Sequence, residues 1–261
     1  MHCSNWLKIA IASLTAVAAC AKNHEAAPGP SAEAPEPPPD APPAVHEHEH
    51  HEHGYHEHGH QHRHGAGYQM DFSEVERFAK HFDDPARDQW QKPAEVMRHL
   101  DIAPGQTVAD VGAGTGYFLE YLSEAVGPEG KVLALDVEPK MVDYMKQRVA
   151  KAKLANVSPS VVSPADPGLA PNSVDRVLIV NTWHHIGHRA EYAAKLARAL
   201  KPKGSVWIVD FTLDSDMGPP AEHRLTPQQV ADELREGGLV PSIVNDESLP
   251  KQYLVEGTLP R

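Results

Sequence analysis

A glycine-rich loop near the middle of the chain constrains the fold more than any other feature. The loop Asp110-Val111-Gly112-Ala113-Gly114-Thr115-Gly116 follows an apolar run and precedes a helical pattern. Glycines between a strand and a helix let the backbone approach a ligand closely, and the helix N-terminus offers free N–H groups there. In an open parallel sheet, this turn is the crevice in which ligands bind. The loop therefore predicts an α/β fold with a ligand site at its first strand–helix turn.

The region around this loop alternates between strand and helix patterns. Apolar runs predict parallel strands at Thr107–Val111, Lys131–Val137, Val157–Val162, Val174–Asn181 and Ser205–Leu213. Helices are predicted at Pro93–Leu100, Tyr117–Val126, from Pro139, at Arg189–Leu200 and after the N-cap Thr226. An antiparallel pair is predicted at Val240–Val244 and Tyr253–Leu259. This order predicts a doubly wound, mostly parallel seven-stranded sheet with helices on both faces.

The spacing within the loop separates two families of nucleotide-binding proteins. The NAD fingerprint G-x-G-x-x-G needs glycine at position 117, which is Tyr117, so a nucleotide-dependent oxidoreductase is disfavoured. The spacing G-x-G-x-G, with Asp110 two residues before the first glycine, resembles motif I of class I S-adenosylmethionine (SAM)-dependent methyltransferases. This resemblance covers nearly all of Pro93–Arg261. It implies a Rossmann-like methyltransferase domain at residues 71–261.

The same resemblance assigns residues that hold SAM. Asp136, at the end of the second strand, would accept the ribose hydroxyls, although it can also be read as a helix-capping residue. Asp166 would meet the adenine amino group and Ala165 would offer its backbone, although Asp beside Pro is also ordinary turn chemistry. The complete cofactor-binding set implied by the resemblance is Asp110, Gly112, Ala113, Gly114, Gly116, Asp136, Val137, Met141, Ala165, Asp166 and Asn181.

The methyl acceptor is expected beyond the fourth strand, at Asn181-Thr182-Trp183-His184-His185-Ile186. Asn181 occupies the position of the family's polar residue, but the Pro-Pro-aromatic sequence of adenine and glutamine N-methyltransferases is absent, which argues against those subclasses. His184 or His185 can act as general base for a hydroxyl acceptor, because imidazole titrates near neutrality. Either histidine can instead be a packing residue. The catalytic candidates are therefore His184, His185 and Asn181, with the acceptor and the methylated atom left open.

Trp90 precedes the predicted domain core by a few residues and has two interpretations. Its ring can face the sulfonium of SAM as a cation–π partner. More often, a tryptophan in such a position is simply packed, and we prefer that interpretation.

Composition excludes several other activities. The two cysteines, Cys3 and Cys20, precede the domain, so a cysteine nucleophile or a thiolate metal site within it is excluded. The formal net charge is −12, and Asp71–Arg261 also carries more acidic than basic residues. Nucleic-acid binders normally carry clustered positive charge, so no nucleic-acid partner is expected. Oligomeric state is not indicated.

The N-terminus has the pattern of an export signal. Residues 1–19 contain a short apolar stretch with Lys8 ahead of most of it, too short for a typical membrane span. Val17-Ala18-Ala19-Cys20 resembles a bacterial lipobox, which implies cleavage before Cys20 and a lipid anchor on its sulfur. We therefore expect an envelope protein on the periplasmic side of the outer membrane. An ordinary signal peptide is the alternative, and the protein would be cytoplasmic if the signal is not used.

Residues 20–70 read as a disordered linker, because they are rich in Pro, His and Glu and poor in aliphatic residues. Its second half contains a run of ten histidines: His46, His48, His50, His51, His53, His56, His58, His60, His62 and His64. Neutral imidazoles bind zinc or nickel, so weak, non-catalytic metal binding is expected, beginning with His46, His48, His50, His51 and His53. A solvated linker without metal function is the other interpretation. The alternative to an enzyme is a non-catalytic envelope lipoprotein on a methyltransferase scaffold, with this arm handling metal.

Overall fold

The computed structural model describes residues 67–68 and 71–261 of the chain. Within them, one sheet contains the strands β1 Thr107–Val111, β2 Lys131–Asp136, β3 Val157–Val161, β4 Val174–Val180, β5 Leu200–Phe211, β6 Val240–Val244 and β7 Gln252–Thr258. The strand order is β3-β2-β1-β4-β5-β7-β6, and β7 alone runs antiparallel to both of its neighbours. The order reverses between β1 and β4, the position at which such sheets bind ligands. The predicted fold class is confirmed.

Helices cover both faces of the sheet because the central strands are apolar on both sides. They are α1 Val75–Phe82, α2 Arg87–Gln91, α3 Pro93–Leu100, α4 Leu119–Val126, α5 Pro139–Ala152, α6 Arg189–Ala199 and α7 Pro227–Glu236. In β4, Val177 and Ile179 pack on the side of α6 and α7, whereas Leu178 and Val180 pack on the side of α3, α4 and α5. All four side chains are buried. The sheet is therefore rigidly held where its strands end at the site.

Helix starts follow the capping pattern of the sequence. Thr226 forms the expected capping box, because its hydroxyl accepts the Gln229 N–H and the Gln229 side chain accepts the Thr226 N–H. The Glu138 side chain accepts the Lys140 N–H, and Pro139 occupies the first turn of α5. These caps fix the orientation of the two helices.

Several element bounds differ from those predicted. The fourth helix begins at Leu119 instead of Tyr117, because the glycine loop continues through a turn up to Phe118. The fifth strand begins at Leu200 instead of Ser205, because Leu200 pairs with Val174 across an irregularity in the ladder. The short helices α1 and α2 were not predicted. No helix among the described residues is long and apolar enough to cross a membrane.

Candidate active site

A cavity of about 460 Å³ lies at the carboxyl ends of β1, β2 and β4. One part of its wall is the glycine loop with Asp136. Another part is a group of aromatic and histidine side chains, namely Tyr68, Phe72, Phe78, His81, Phe82, Trp90, His184, His185, Tyr192 and Phe211. The cavity therefore joins the predicted cofactor and acceptor residues in one space.

The glycine loop uses its first two glycines for different purposes. Gly112 and Gly114 have φ values of +73° and +57°, in the left-handed region that side chains disfavour. A Cβ on Gly112 would lie 2.3 Å from Thr182 Cγ2, so this glycine allows the loop to pack against the end of β4. A Cβ on Gly114 would meet only Phe82, at 3.8 Å, so the backbone here faces open cavity. Gly114 is thus the position at which a ligand can approach the chain.

Asp136 fastens the loop to the end of β2. Its Oδ2 accepts the Gly114 N–H at 2.8 Å, and its Oδ1 accepts the Glu138 N–H at 2.9 Å. Burial raises the pKa of Asp136, and the backbone N–H bonds act in the opposite direction. The carboxyl group lines the cavity while its two backbone bonds hold it in place.

Asp110 lies deeper than Asp136 and is almost fully buried. Burial, followed by the nearby charge of Asp136, raises the pKa of Asp110 to about 7, while the Arg87 guanidinium opposes the shift. Arg87 lines the cavity, and burial lowers the pKa of its guanidinium to about 10. The site therefore places the Arg87 guanidinium within electrostatic reach of Asp110, a carboxyl group whose ionisation is opposed by burial.

Apolar side chains continue the wall next to Asp136. Met141 is buried, whereas Val137 is 47% exposed, although both line the cavity. Val162 and Pro164 lie along the same wall. An exposed valine beside a cavity is available to pack against a flat ring.

A closed ring of amides stands at the end of β4. The Gln91 Nε2 donates to Gln252 Oε1 at 2.7 Å, the Gln252 Nε2 donates to Asn181 Oδ1, and the Asn181 Nδ2 donates to Gln91 Oε1 at 3.2 Å. Gln91 and Gln252 are buried, and Asn181 lines the cavity with a φ of +53°. The Arg87 guanidinium also donates to Gln91 Oε1. This ring fixes the side chain of Asn181, whose left-handed backbone conformation is one that asparagine tolerates.

The two histidines after β4 have different partners. His184 is buried, and its Nδ1 lies 2.9 Å from each carboxylate oxygen of Asp210. His185 donates from Nδ1 to the Tyr68 carbonyl oxygen, since a carbonyl can only accept. Burial, followed by the charge of His184, lowers the pKa of His185 to about 4. His185 is therefore neutral near pH 7.

Tyr68 belongs to this site although it precedes the predicted domain start at residue 71. Its N–H donates to the His184 carbonyl at 2.9 Å. Its ring stacks on His185 and His223, with centroids 5.3 and 4.4 Å away. The backbone of Gly67 lies so close to His185 that a Cβ would collide with it. The segment before α1 thus packs against the acceptor end of the cavity.

Comparison with known proteins agrees with this geometry. Residues 108–204 match the family model described as methyltransferase domain. The structure of a SAM-dependent methyltransferase from Aquifex aeolicus superposes with a TM-score of 0.66 at 30% identity, covering 72% of this chain and 98% of that one. The chain belongs to the SAM-dependent methyltransferases.

Curated relatives of this methyltransferase include demethylmenaquinone methyltransferases. The one from Bacillus cereus is 32% identical over 129 residues, covering 49% of this chain and 54% of the relative. The one from Shouchella clausii is 31% identical over 121 residues, covering 45% and 49% respectively. The chain thus spans about half the length of the curated relatives that it matches.

The methyltransferase cavity contains most of the residues predicted for SAM, with four exceptions. Gly112, Ala113, Gly114, Asp136, Val137, Met141 and Asn181 line it. Asp110, Gly116, Ala165 and Asp166 do not line it. Asp110 is buried below the loop, and Gly116 packs against the side chain of Leu119. Asp166 is exposed, and its Oδ1 accepts the Gly168 N–H at 2.8 Å, the turn chemistry that was its alternative interpretation.

Trp90 is packed, as its preferred interpretation predicts, whereas its contact with the sulfonium of SAM stays a prediction. It lines the cavity, and its ring packs on Phe211 with centroids 5.8 Å apart. The described residues do not include the predicted lipid attachment site, Cys20, or the predicted metal ligands His46, His48, His50, His51 and His53. Among residues 67–68 and 71–261, no group of three His, Cys, Asp or Glu could hold a metal ion.

Four polar residues of the site were not predicted. Asp210 interrupts the apolar run of β5, and that interruption was a signal in the sequence. Arg87 and Gln91 belong to a short helix without a strong pattern, and Gln252 opens a strand on the far side of the sheet. These three come together only through the tertiary fold.

Proposed function

We propose that this methyltransferase transfers a methyl group from SAM to a planar, largely apolar small molecule. The observation that carries the proposal is the single cavity, which has a nucleotide-type wall at Gly114 and Asp136 and an aromatic wall around His184 and His185. Methyl transfer needs donor and acceptor to be held in line in one space, and such positioning is the main catalytic contribution for an activated carbon.

The donor side fits SAM in its chemistry. Gly114 presents bare backbone to open space, and Asp136 has acceptor capacity left for ribose hydroxyls after its two backbone bonds. Val137 and Met141 offer an apolar surface for adenine. When bound, SAM supplies a methyl group on a positively charged sulfur. The protein orients SAM, and the side chains of α1 and α2 that line the cavity exclude water.

The acceptor side favours a flat, apolar molecule. Aromatic faces attract planar rings through dispersion and edge-to-face contacts. Phe72, Phe78, Phe82 and Phe211 present such faces to the cavity. The relatives named demethylmenaquinone methyltransferases support an acceptor of this shape. We extend only the shape and polarity of that acceptor to this chain, because the matched regions cover about half of those relatives.

The test uses the purified full chain. Titration calorimetry should show binding of S-adenosylhomocysteine at micromolar strength, and labelled methyl from SAM should pass to a reduced naphthoquinone. A thiol, an amine and a carboxylic acid of similar size serve as competing acceptors. Absence of both binding heat and thermal shift at millimolar ligand would exclude the proposed function.

We also propose that the mature protein is an envelope lipoprotein whose lipid is attached to Cys20. The support is the lipobox-like Val17-Ala18-Ala19-Cys20 and the apolar stretch before it. In this arrangement, the histidine arm would connect the membrane anchor to the domain and could take up zinc or nickel without a catalytic role.

A further inference from the structure

We infer that Asp210 positions His184 as the proton acceptor of the reaction and that the methyl acceptor is a phenol or hydroquinone. This inference rests on the proposed function, since it assigns the chemistry of the same cavity. Asp210 acts through His184 and does not line the cavity itself.

The hydrogen bonds fix which nitrogen of His184 is available. Both oxygens of Asp210 lie 2.9 Å from Nδ1, and Asp210 Oδ1 also accepts the Phe211 N–H at 2.9 Å. An ionised carboxylate can only accept, so Nδ1 carries the proton and Nε2 keeps its lone pair. His184 lines the cavity and Asp210 does not. Because Nδ1 faces Asp210, we infer that the opposite ring edge, which carries Nε2, is directed toward the acceptor.

Burial keeps water away from this pair. The side chains of His184 and Asp210 are 3% and 4% exposed. When Nε2 takes a proton, the carboxylate compensates the new positive charge in a region where water cannot do so. The other titratable groups that face the pair are His185, Tyr68 and Tyr253, and Tyr253 is paired with Asp210 in the sheet. Burial lowers the pKa of His185 to about 4 and raises the pKa of Tyr253, so both are neutral near pH 7, and Asp210 is the ionic partner of His184.

His185 is suited to a different task. Because burial lowers the pKa of His185 to about 4, it is a weak proton acceptor at neutral pH. Its Nδ1 donates to the Tyr68 carbonyl, which leaves Nε2 able to accept a hydrogen bond without taking the proton. A hydroxyl has one proton to donate, so His184 takes that proton, and His185 is available to accept a hydrogen bond from the second hydroxyl of a hydroquinone.

The acceptor must carry a proton that an imidazole can remove, attached to a planar ring that the aromatic wall can hold. A phenolic hydroxyl meets both requirements. Its O–H bond breaks as an N–H bond forms at His184 Nε2. The electron pair of the resulting phenolate then forms the bond to the methyl carbon while the carbon–sulfur bond breaks toward sulfur. In O-methylation, His184 later releases that one proton to water. In methylation at a ring carbon, the carbon loses its hydrogen to water and the oxygen recovers a proton.

The arrangement of the histidine can be tested without catalysis. In the full chain labelled with nitrogen isotope in histidine, NMR should show His184 with Nδ1 protonated and Nε2 unprotonated. Asp210→Asn should disturb this signal, whereas Asp214→Asn, an exposed aspartate of the following segment, should leave it unchanged. A proton on Nε2 of wild-type His184 at neutral pH would overturn the inference.

Kinetics with naphthohydroquinone under anaerobic conditions test the role. Asp210→Asn and His184→Gln should each lower kcat by about a hundredfold, the usual contribution of a general base, with little change in KM. The loss should shrink as the pH approaches about 10, where a phenol ionises without help. Asp214→Asn should behave as wild type.

The outcomes separate this inference from the proposed function. If wild type binds S-adenosylhomocysteine and methylates the hydroquinone, but both variants keep the wild-type rate and pH profile, only the inference fails. Preferential methylation of the competing amine or thiol would also overturn it. If wild type binds S-adenosylhomocysteine but does not methylate the hydroquinone, the inference is overturned while the binding of the donor stands. If wild type does not bind S-adenosylhomocysteine, the proposed function itself fails.

Discussion

Asp136 has a structural role at the edge of the cavity in addition to its proposed binding role. Its two oxygens already accept the Gly114 and Glu138 N–H groups, which fixes the glycine loop against β2. A carboxylate has about four acceptor sites, so ribose hydroxyls can be accepted without breaking either bond. The position of Asp136 could be predicted from the sequence, because its distance along the chain from the glycine loop indicates where the second strand ends. Asp166 shows the limit of that reasoning, since the local turn to Gly168 directs its carboxylate away from the cavity.

Substitutions at the loop should separate binding from backbone strain. We expect Gly114→Val and Asp136→Ala each to weaken S-adenosylhomocysteine binding tenfold or more, measured by titration calorimetry. Valine adds branched bulk where the backbone faces the cavity, and alanine removes a charged acceptor worth about 1.5–3 kcal/mol. Gly105→Val is the matched control, because Gly105 has a φ of +85° but lies outside the cavity wall. Unchanged affinity in the first two variants would mean that the donor binds elsewhere.

The lowered pKa of His185 predicts a specific acid sensitivity. The folded value is about 4 and the ordinary value is about 6.5, so the unfolded chain binds the proton more tightly. Stability should therefore fall as the pH drops from about 6.5 to about 4. Between these pH values, the free energy of unfolding should fall in wild type and in His185→Gln. The fall should be about 2–3 kcal/mol smaller in His185→Gln, because glutamine does not titrate.

Chemical denaturation at several pH values measures this difference. His188→Asn is a suitable control, because His188 is exposed and its φ of +47° is one that asparagine tolerates. Equal acid sensitivity of wild type and His185→Gln would show that His185 is protonated in the folded protein at pH 5.

At the scale of elements, the side chain of Asp83 connects α1 to the site. Asp83, which ends the helix, accepts hydrogen bonds from the Thr115 hydroxyl at 2.7 Å, the Tyr144 hydroxyl at 2.9 Å and Arg148 Nη1 at 2.9 Å. These donors belong to the glycine loop and to α5, so Asp83 joins three elements around the cavity. The helix itself is short and places only two buried residues, Val75 and Ala79, beneath it.

The parallel strands were predictable because each is an apolar run bounded by turn residues, and their order follows from the alternation with helices. The helices α1 and α2 were not predictable in the same way. Isolated helices of this length are unstable, and these two are held by tertiary bonds such as those of Asp83 and Arg87. The aromatic side chains that α1 and α2 add to the acceptor side of the cavity could therefore not be predicted from the sequence. The glycine loop and Asp136 on the donor side could be predicted.

Removing the charge of Asp83 should loosen this attachment. We expect Asp83→Asn to lower the free energy of unfolding by about 1–3 kcal/mol, because a charged acceptor with three donors is lost. Hydrogen exchange of the α1 amides should become faster than that of the sheet. Asp84→Asn is the adjacent control, since Asp84 is exposed and its one bond, from the Ala86 N–H, remains possible with asparagine. Unaltered exchange in Asp83→Asn would indicate that apolar packing alone holds the helix.

For the whole molecule, the export signal and the cofactor make opposite demands. SAM is synthesised in the cytoplasm, whereas the proposed lipobox would direct the chain to the envelope. Three arrangements reconcile them: retention inside the cell, a supply of SAM in the envelope, or loss of catalysis after export. Localisation of the native protein and its binding of S-adenosylhomocysteine together distinguish the three.

The anchor can be tested by metabolic labelling. Labelled palmitate should enter the native protein and be absent from Cys20→Ala, because the thiol of Cys20 is the proposed attachment point. Cys3→Ala provides the control, since Cys3 lies within the segment that cleavage would remove. An unlabelled native protein found only in the cytosol would contradict the anchor and would also remove the conflict over SAM supply.

Metal binding by the histidine arm, His46–His64, should be independent of S-adenosylhomocysteine binding by the methyltransferase domain. Deleting His46–His64 should abolish most uptake of Zn²⁺ or Ni²⁺ by the full chain, because a cluster of imidazoles gives a high local concentration of ligands. Binding needs neutral imidazole, so it should decline below about pH 6. The deletion spares Gly67 and Tyr68, which contact His184 and His185, so S-adenosylhomocysteine affinity should not change.

A matched variant shows whether imidazoles are the ligands. Replacing Glu47, Glu49, Glu52 and Glu57 by glutamine leaves every histidine in place, so metal uptake at pH 7 should persist in this variant. Equilibrium dialysis measures the metal, and titration calorimetry measures S-adenosylhomocysteine in the same preparations. If the deletion also destroys S-adenosylhomocysteine binding, the arm contributes to the folded domain, and the independence of metal and methyl chemistry is wrong. If metal uptake survives the deletion, the ions bind to residues outside the arm.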